Sequence, residues 1–113
     1  VTRFPRKVEY RLKKAKDFDR VFRAGKRAFT NRLTLIYLPA KTVKAGYAVG
    51  KKHGKAVKRN RIKRLLREAF RTVLPEIGGN WFFVVIPKVS EEYTYAGYVK
   101  DLRYALKKSG LLK

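Results

Sequence analysis

A chain of 113 residues has room for one hydrophobic core and not for two independent ones. Apolar residues at 45% argue against disorder, while 30 Lys and Arg against 8 Asp and Glu leave a net charge of +22. With no cysteine and a single histidine, His53, there is no disulfide framework or thiolate metal site, and a His-based zinc site or Ser-His-Asp triad is disfavoured. The longest apolar run, Trp81 to Pro87, is too short to span a bilayer, and no signal-peptide core follows the basic first residues. A cytoplasmic protein with no membrane partner is therefore expected.

Residues 1–14 read as a basic arm lying along the surface of a single domain that spans 1–113. Residues 15–24 predict a short helix, because Phe18, Val21 and Phe22 fall at i, i+3 and i+4 on one stripe. Asp17 and Asp19 favour the positive end of its dipole, and Gly25 suits a left-handed residue at its close. Residues 33–38 are rich in β-formers and predict a strand ended by Pro39. Residues 39–44 read as a hairpin loop leading to a second strand over 45–51.

Residues 56–74 form the clearest helix. Ile62, Leu65, Leu66, Ala69, Phe70 and Val73 share one face, Asn60, Arg64, Arg67 and Arg71 centre on the other, and Pro75 stops it. Gly78 and Gly79 make a turn into residues 80–86, whose unbroken apolar run predicts a central strand. Ser90 reads as the cap of a last helix, with Glu91 and Glu92 in its first turn. Its buried stripe is Tyr95, Tyr98, Val99, Leu102 and Leu106, Lys107 and Lys108 suit its C-terminal end, and Gly110 closes it. The order αββαβα predicts an α+β sandwich, one sheet with helices packed against it.

The charge is densest over residues 50–71, where ten cations face Glu68 alone. Solvated helices normally mix signs, so this imbalance points to a polyanionic partner, with nucleic acid foremost. A lipid surface fits less well, since the helix lacks an exposed apolar face. Gly54 allows a turn whose following N–H groups favour an anion, and arginines grip phosphate oxygens through forked hydrogen bonds. Asn60 suits either reading a base or fixing the turn. His53 reads as a polar or RNA-facing turn residue without a catalytic role.

Three stretches carry a family resemblance: DFDRVFRAGKR at 17–27, the strand ending in Tyr37, and Val49 through Phe70. At its centre is Arg59-Asn60-Arg61-Ile62-Lys63-Arg64, after a Lys-Lys-x-Gly-x-Ala-Val run at 51–57. The sequence resembles the protein subunits of bacterial ribonuclease P. The resemblance implies a mixed sheet similar to the second domain of ribosomal protein S5, with a left-handed βαβ crossover. It implies an endoribonuclease whose catalytic site lies in a partner RNA and which removes the 5′ leader of precursor tRNA with Mg2+. The implied partners are ribonuclease P RNA, one protein per RNA, and precursor tRNA.

By position, Phe18, Phe22, Tyr37, Lys52, Arg59 and Asn60 match leader-binding groups in a cleft between the first helix and the sheet. Arg61, Lys63, Arg64, Arg67 and Arg71 match the family's signature helix, which the resemblance implies contacts the catalytic RNA. No residue of the chain is assigned as catalytic or as a metal ligand. The spacing of Phe18 and Phe22 by itself fits ordinary core, and alternation groups Tyr37 with Leu33 and Leu35. Gly50 stands where the family usually has a small hydroxyl residue, and Ala15 where a capping Asn or Ser is common.

Two other functions compete. A protein nuclease acting alone needs clustered carboxylates or an acid–base pair, and the eight acidic residues are scattered. A basic ribosomal-type structural RNA-binding protein fits charge and size equally and ranks second because of the signature at 59–64.

Overall fold

The computed structural model describes residues 11–113, so most of the expected basic arm lies outside the described residues. Of its end, Leu12 is buried and its N–H donates to the Ala45 carbonyl at 2.9 Å, laying the chain along a sheet edge. The elements that follow are α1 (Ala15–Ala24), β1 (Lys26–Phe29), β2 (Leu33–Pro39), β3 (Lys44–Tyr47), α2 (Ala56–Val73), β4 (Trp81–Pro87) and α3 (Tyr95–Lys108). A single 3-10 turn, Lys51–His53, precedes α2, and another, Leu74–Glu76, follows it at Pro75.

The four strands form one mixed sheet in the order β1-β2-β4-β3. The first two pairings are antiparallel, and β3 runs parallel to β4. As its uninterrupted apolar sequence predicts, β4 is an inner strand, bonded on both edges. The connection from β3 through α2 to β4 is the βαβ unit.

This pairing corrects the expected hairpin. Residues 39–44 do not join neighbouring strands, because β4 lies between β2 and β3. The second strand is also shorter than 45–51, ending at Tyr47. The four-residue β1 is absent from the sequence reading because only Ala28 points inward, while Lys26, Arg27 and Phe29 face solvent. Cations at this outer edge discourage pairing with another chain.

Two terminal signals also act differently from expectation. Gly25 is extended, with φ −74° and ψ 152°, rather than left-handed. It is needed for closeness instead, since a Cβ there would lie 2.5 Å from the Val21 carbonyl oxygen and 2.7 Å from Ile36 Cγ2. Thr94, not Ser90, caps α3 by accepting from the Gly97 N–H at 3.1 Å, which leaves Glu91 and Glu92 outside the helix. Ser90 closes a local turn with Glu92.

Two cores result. On one face of the sheet, Leu33, Leu35, Phe83 and Val85 pack with Ile62, Leu66 and Phe70 of α2 and with Tyr98, Leu102 and Leu106 of α3. On the other, Ile36 and Val84 meet Leu12 and Val21, with Phe18, Phe22, Leu38 and Phe82 half-buried around them. Asp101 of α3 locks the first core to the β1–β2 turn. Its carboxylate accepts from the Thr30 hydroxyl at 2.9 Å, the Arg32 backbone N–H at 2.8 Å and Arg32 Nη1 at 3.0 Å.

Candidate nucleic-acid interface

The floor of the candidate site is built by α1. The i, i+4 spacing of Phe18 and Phe22 turns both rings toward the sheet, yet neither is fully buried. Phe18 lies directly over Gly46 of β3, where a Cβ would come within 2.3 Å of the ring. That missing side chain lets the aromatic settle against backbone. Beside it opens a cleft of about 180 Å3, lined by Phe18, Gly46, Tyr47, Arg11, Lys63 and Arg67, among others.

The cleft joins helix and strand through charge. Lys63 and Arg67 sit one turn apart on α2 and are half-buried, so their stems pack while their charged ends remain near the opening. Burial pushes the Tyr47 hydroxyl well above the usual tyrosine range, partly offset by Arg67, Arg71 and Arg11. Tyr47 therefore stays a neutral donor at physiological pH. Sequence reasoning missed Tyr47 and Arg11, because their place depends on β3 lying between the arm and α2.

Farther round α2, Asn60, Arg61, Arg64 and Arg71 are exposed. Arg64 keeps 74% of its side chain exposed and approaches Glu68 at only 3.9 Å, a weak surface pair. The closer ion pairs lie elsewhere, Asp101 with Arg32 and Glu76 with Arg103. Those two carboxylates thus serve α3 and the β1–β2 turn, while Arg61, Arg64 and Arg71 of α2 are exposed. Arg59 is half-buried and its Nε has no hydrogen-bond partner. Lys52 is exposed on the turn before α2, where Gly54 takes φ +113°. No side chain caps the start of α2 and no acidic residue stands in its first turn, so its N–H groups face a cationic surrounding.

The structure redistributes the expected residues. Lys63 and Arg67 join Phe18 in the cleft rather than the outward set with Arg64. Tyr37 is set apart from Phe18 and Phe22, because it shares a face with Leu33 and Leu35 and packs edge-on to Trp81, with ring centroids 5.8 Å apart. Ile36 and Leu38 take the α1 side of β2. His53, read from the sequence as a polar or RNA-facing turn residue, is 2% exposed and bonds Tyr93 through Nδ1 at 2.8 Å. Its ring is held inward by the tight 3-10 turn.

Among the described residues, no group of three or more His, Cys, Asp or Glu can hold a metal ion, and no helix is long and apolar enough to cross a membrane.

The fold and site define a class, a small α+β domain with an open aromatic cleft bordered by an unneutralised cationic helix. A family model described as Ribonuclease P matches residues 6–110. The ribonuclease P protein component of Geobacillus kaustophilus is 40% identical over 112 residues, covering 95% of this chain and 92% of that protein. The solved ribonuclease P protein of Staphylococcus aureus superposes with a TM-score of 0.80 at 28% identity, over 94% of this chain and 100% of that one. That of Thermotoga maritima gives 0.77 at 28% identity, over 87% and 96%. The chain belongs to the ribonuclease P protein component family.

Proposed function

We propose that this chain binds the catalytic RNA of ribonuclease P and the 5′ leader of precursor tRNA, as one protein per RNA in the bacterial cytoplasm. The observation that carries this reading is the joining of Phe18 with Lys63, Arg67 and Tyr47 in one open cleft, beside exposed arginines of which Arg64 makes only a weak pair with Glu68. A single-stranded leader offers base faces to the aromatic floor, worth about 1–3 kcal/mol per stacked base, and stacking tolerates varied sequence. Its phosphates meet Lys63 and Arg67, and the neutral Tyr47 hydroxyl donates a hydrogen bond without adding charge.

The exposed side of α2, with Asn60, Arg61, Arg64 and Arg71, grips the catalytic RNA. Hydrolysis with Mg2+ is assigned to that RNA, and the protein supplies affinity and alignment. Lys52 and Arg59 border the leader path near the start of α2. Phe22 supports the floor, and Tyr37 acts from the opposite face as a packing partner of Trp81.

The test is reconstitution with a bacterial ribonuclease P RNA and a precursor tRNA at low magnesium. Leader removal is expected to accelerate when the protein is added, and more for a substrate with a leader of several nucleotides than for one with a single nucleotide. Absence of any stimulation overturns the reading. Association with ribosomal subunits in place of that RNA would instead mark a structural ribosomal protein.

A further inference from the structure

His53 and Tyr93 are distant in sequence yet meet beside the cationic helix. His53 lies in the turn before α2, and Tyr93 in the loop between β4 and α3. The rings pack edge-on with centroids 5.6 Å apart, and His53 Nδ1 is 2.8 Å from the Tyr93 hydroxyl. That hydroxyl also accepts from the Ser90 N–H at 3.2 Å. When that hydroxyl donates to His53 Nδ1, the imidazole proton stands on Nε2. Nε2 is buried without a full hydrogen bond, although the Pro87 carbonyl lies near enough to favour a proton on the ring.

The Tyr93 ring has a second task. Lys58, in the first turn of α2, passes its side chain across Gly54 and holds its ammonium 5.5 Å from the Tyr93 ring centroid. One tyrosine therefore ties down the turn through its hydroxyl and the helix start through its ring face. Lys52 directly precedes His53, and directly after Lys58 come Arg59 and Asn60.

We propose that His53 and Tyr93 form a latch that positions the 51–54 turn and the start of α2 for RNA, and that it closes only when His53 is neutral. His53 is a positioning residue here, acting through the cations beside it. The inference rests on the RNA-binding reading above. Burial holds the imidazole below its ordinary range, and Lys52 and Lys58 push in the same direction against the Pro87 carbonyl. The remaining titratable neighbour, Tyr93, faces Tyr98, whose hydroxyl burial pushes up. A proton added at Nδ1 would force the tyrosine O–H to turn away and would set a third positive charge beside two lysines.

The sign follows. A lowered folded pKa makes the latch intact above the ordinary histidine value of about 6.5 and weaker as pH falls below it. Lysines and arginines stay charged over that range, so simple phosphate attraction would not decline.

The experiment measures affinity for a bacterial ribonuclease P RNA between pH 7.5 and 5.5 at fixed salt. It compares the full chain with His53→Leu, Tyr93→Phe and His53→Asn, the last keeping an acceptor near the Nδ1 position without titrating. At neutral pH, His53→Leu and Tyr93→Phe should bind roughly three- to tenfold more weakly, the range of one net hydrogen bond. His53→Asn should bind nearly as the natural chain does and lose the acid-side decline. The single histidine of the sequence makes its imidazole signal unambiguous by NMR, and Tyr93→Phe should move its titration.

Unchanged affinity in Tyr93→Phe together with a flat natural pH profile overturns the latch. Should His53→Leu fail to fold, Tyr93→Phe and the Asn variant still decide. An RNA affinity indifferent to Arg61→Ala with Arg64→Ala identifies failure of the RNA-binding reading instead, and the NMR titration then still tests the latch.

Discussion

On the face covered by α2 and α3, Leu35, Phe83 and Val85 meet Leu66, Phe70 and Leu102 in a continuous buried core. On the α1 face, among the described residues, Leu12, Val21, Ile36 and Val84 are fully buried, and Phe18, Phe22 and Phe82 remain half in water. Two helices of 18 and 14 residues cover the first face, whereas ten residues of α1 cover the second. The difference separates tasks, with stability concentrated where packing is complete and partly wet aromatic surface left beside cations.

The sharpest test is on the sealed side. Phe83→Ala is expected to cost about 3–5 kcal/mol of folding stability in urea titration, the range for truncating a fully buried Phe. A smaller loss also belongs to this side. Asp101→Ala leaves the Thr30 hydroxyl and the Arg32 N–H without their carboxylate, and should cost about 2 kcal/mol by the same measurement.

On the open side the balance should reverse. Phe18→Ala is expected to lose about 1 kcal/mol of stability, less than full burial implies, and about tenfold in leader affinity through lost stacking. Gly46→Ala should reproduce the leader defect with every aromatic retained, because its Cβ displaces the Phe18 ring. If Phe18→Ala destabilised the fold as much as Phe83→Ala, the two faces would be equivalent and the contrast would fail.

The smallest stability change belongs to the outward arginines. Arg61→Ala with Arg64→Ala should alter folding by no more than about 0.5 kcal/mol, as for exposed sites. Salt titration of RNA affinity should nevertheless lose about one unit of slope per phosphate contact removed. A large stability loss would mean that these side chains brace the fold.

Much of this molecule is legible in local pattern. The spacing of Ile62, Leu66, Ala69, Phe70 and Val73, bounded by Gly54 and Pro75, specifies α2 and its buried side, and leaves Asn60, Arg64 and Arg71 outside. The apolar run of β4 likewise specifies an inner strand. Such features repeat with the period of the element itself, so neighbouring residues suffice to encode them.

Strand order, capping and the make-up of the cleft depended on distant partners. Residues 39–44 carry the same turn signals whether β2 pairs with β3 or, as here, β4 enters between them. Alternation grouped Tyr37 with Leu33 and Leu35, but only the placement of α1 revealed that this was the side away from the cleft. Ser90 and Thr94 are both competent caps, and Thr94 is chosen where α3 docks Gly97 against Arg32 and Asp101 against the β1–β2 turn. Lys63 and Arg67 read as members of one exposed charge run until β3 brings Tyr47 and Gly46 beside them. The composition and spacing of the chain determined α1, α2, β2 and β4 and the strong positive charge, whereas tertiary packing decided which aromatics and cations share a cleft, because contacts between remote segments leave no periodic trace in sequence.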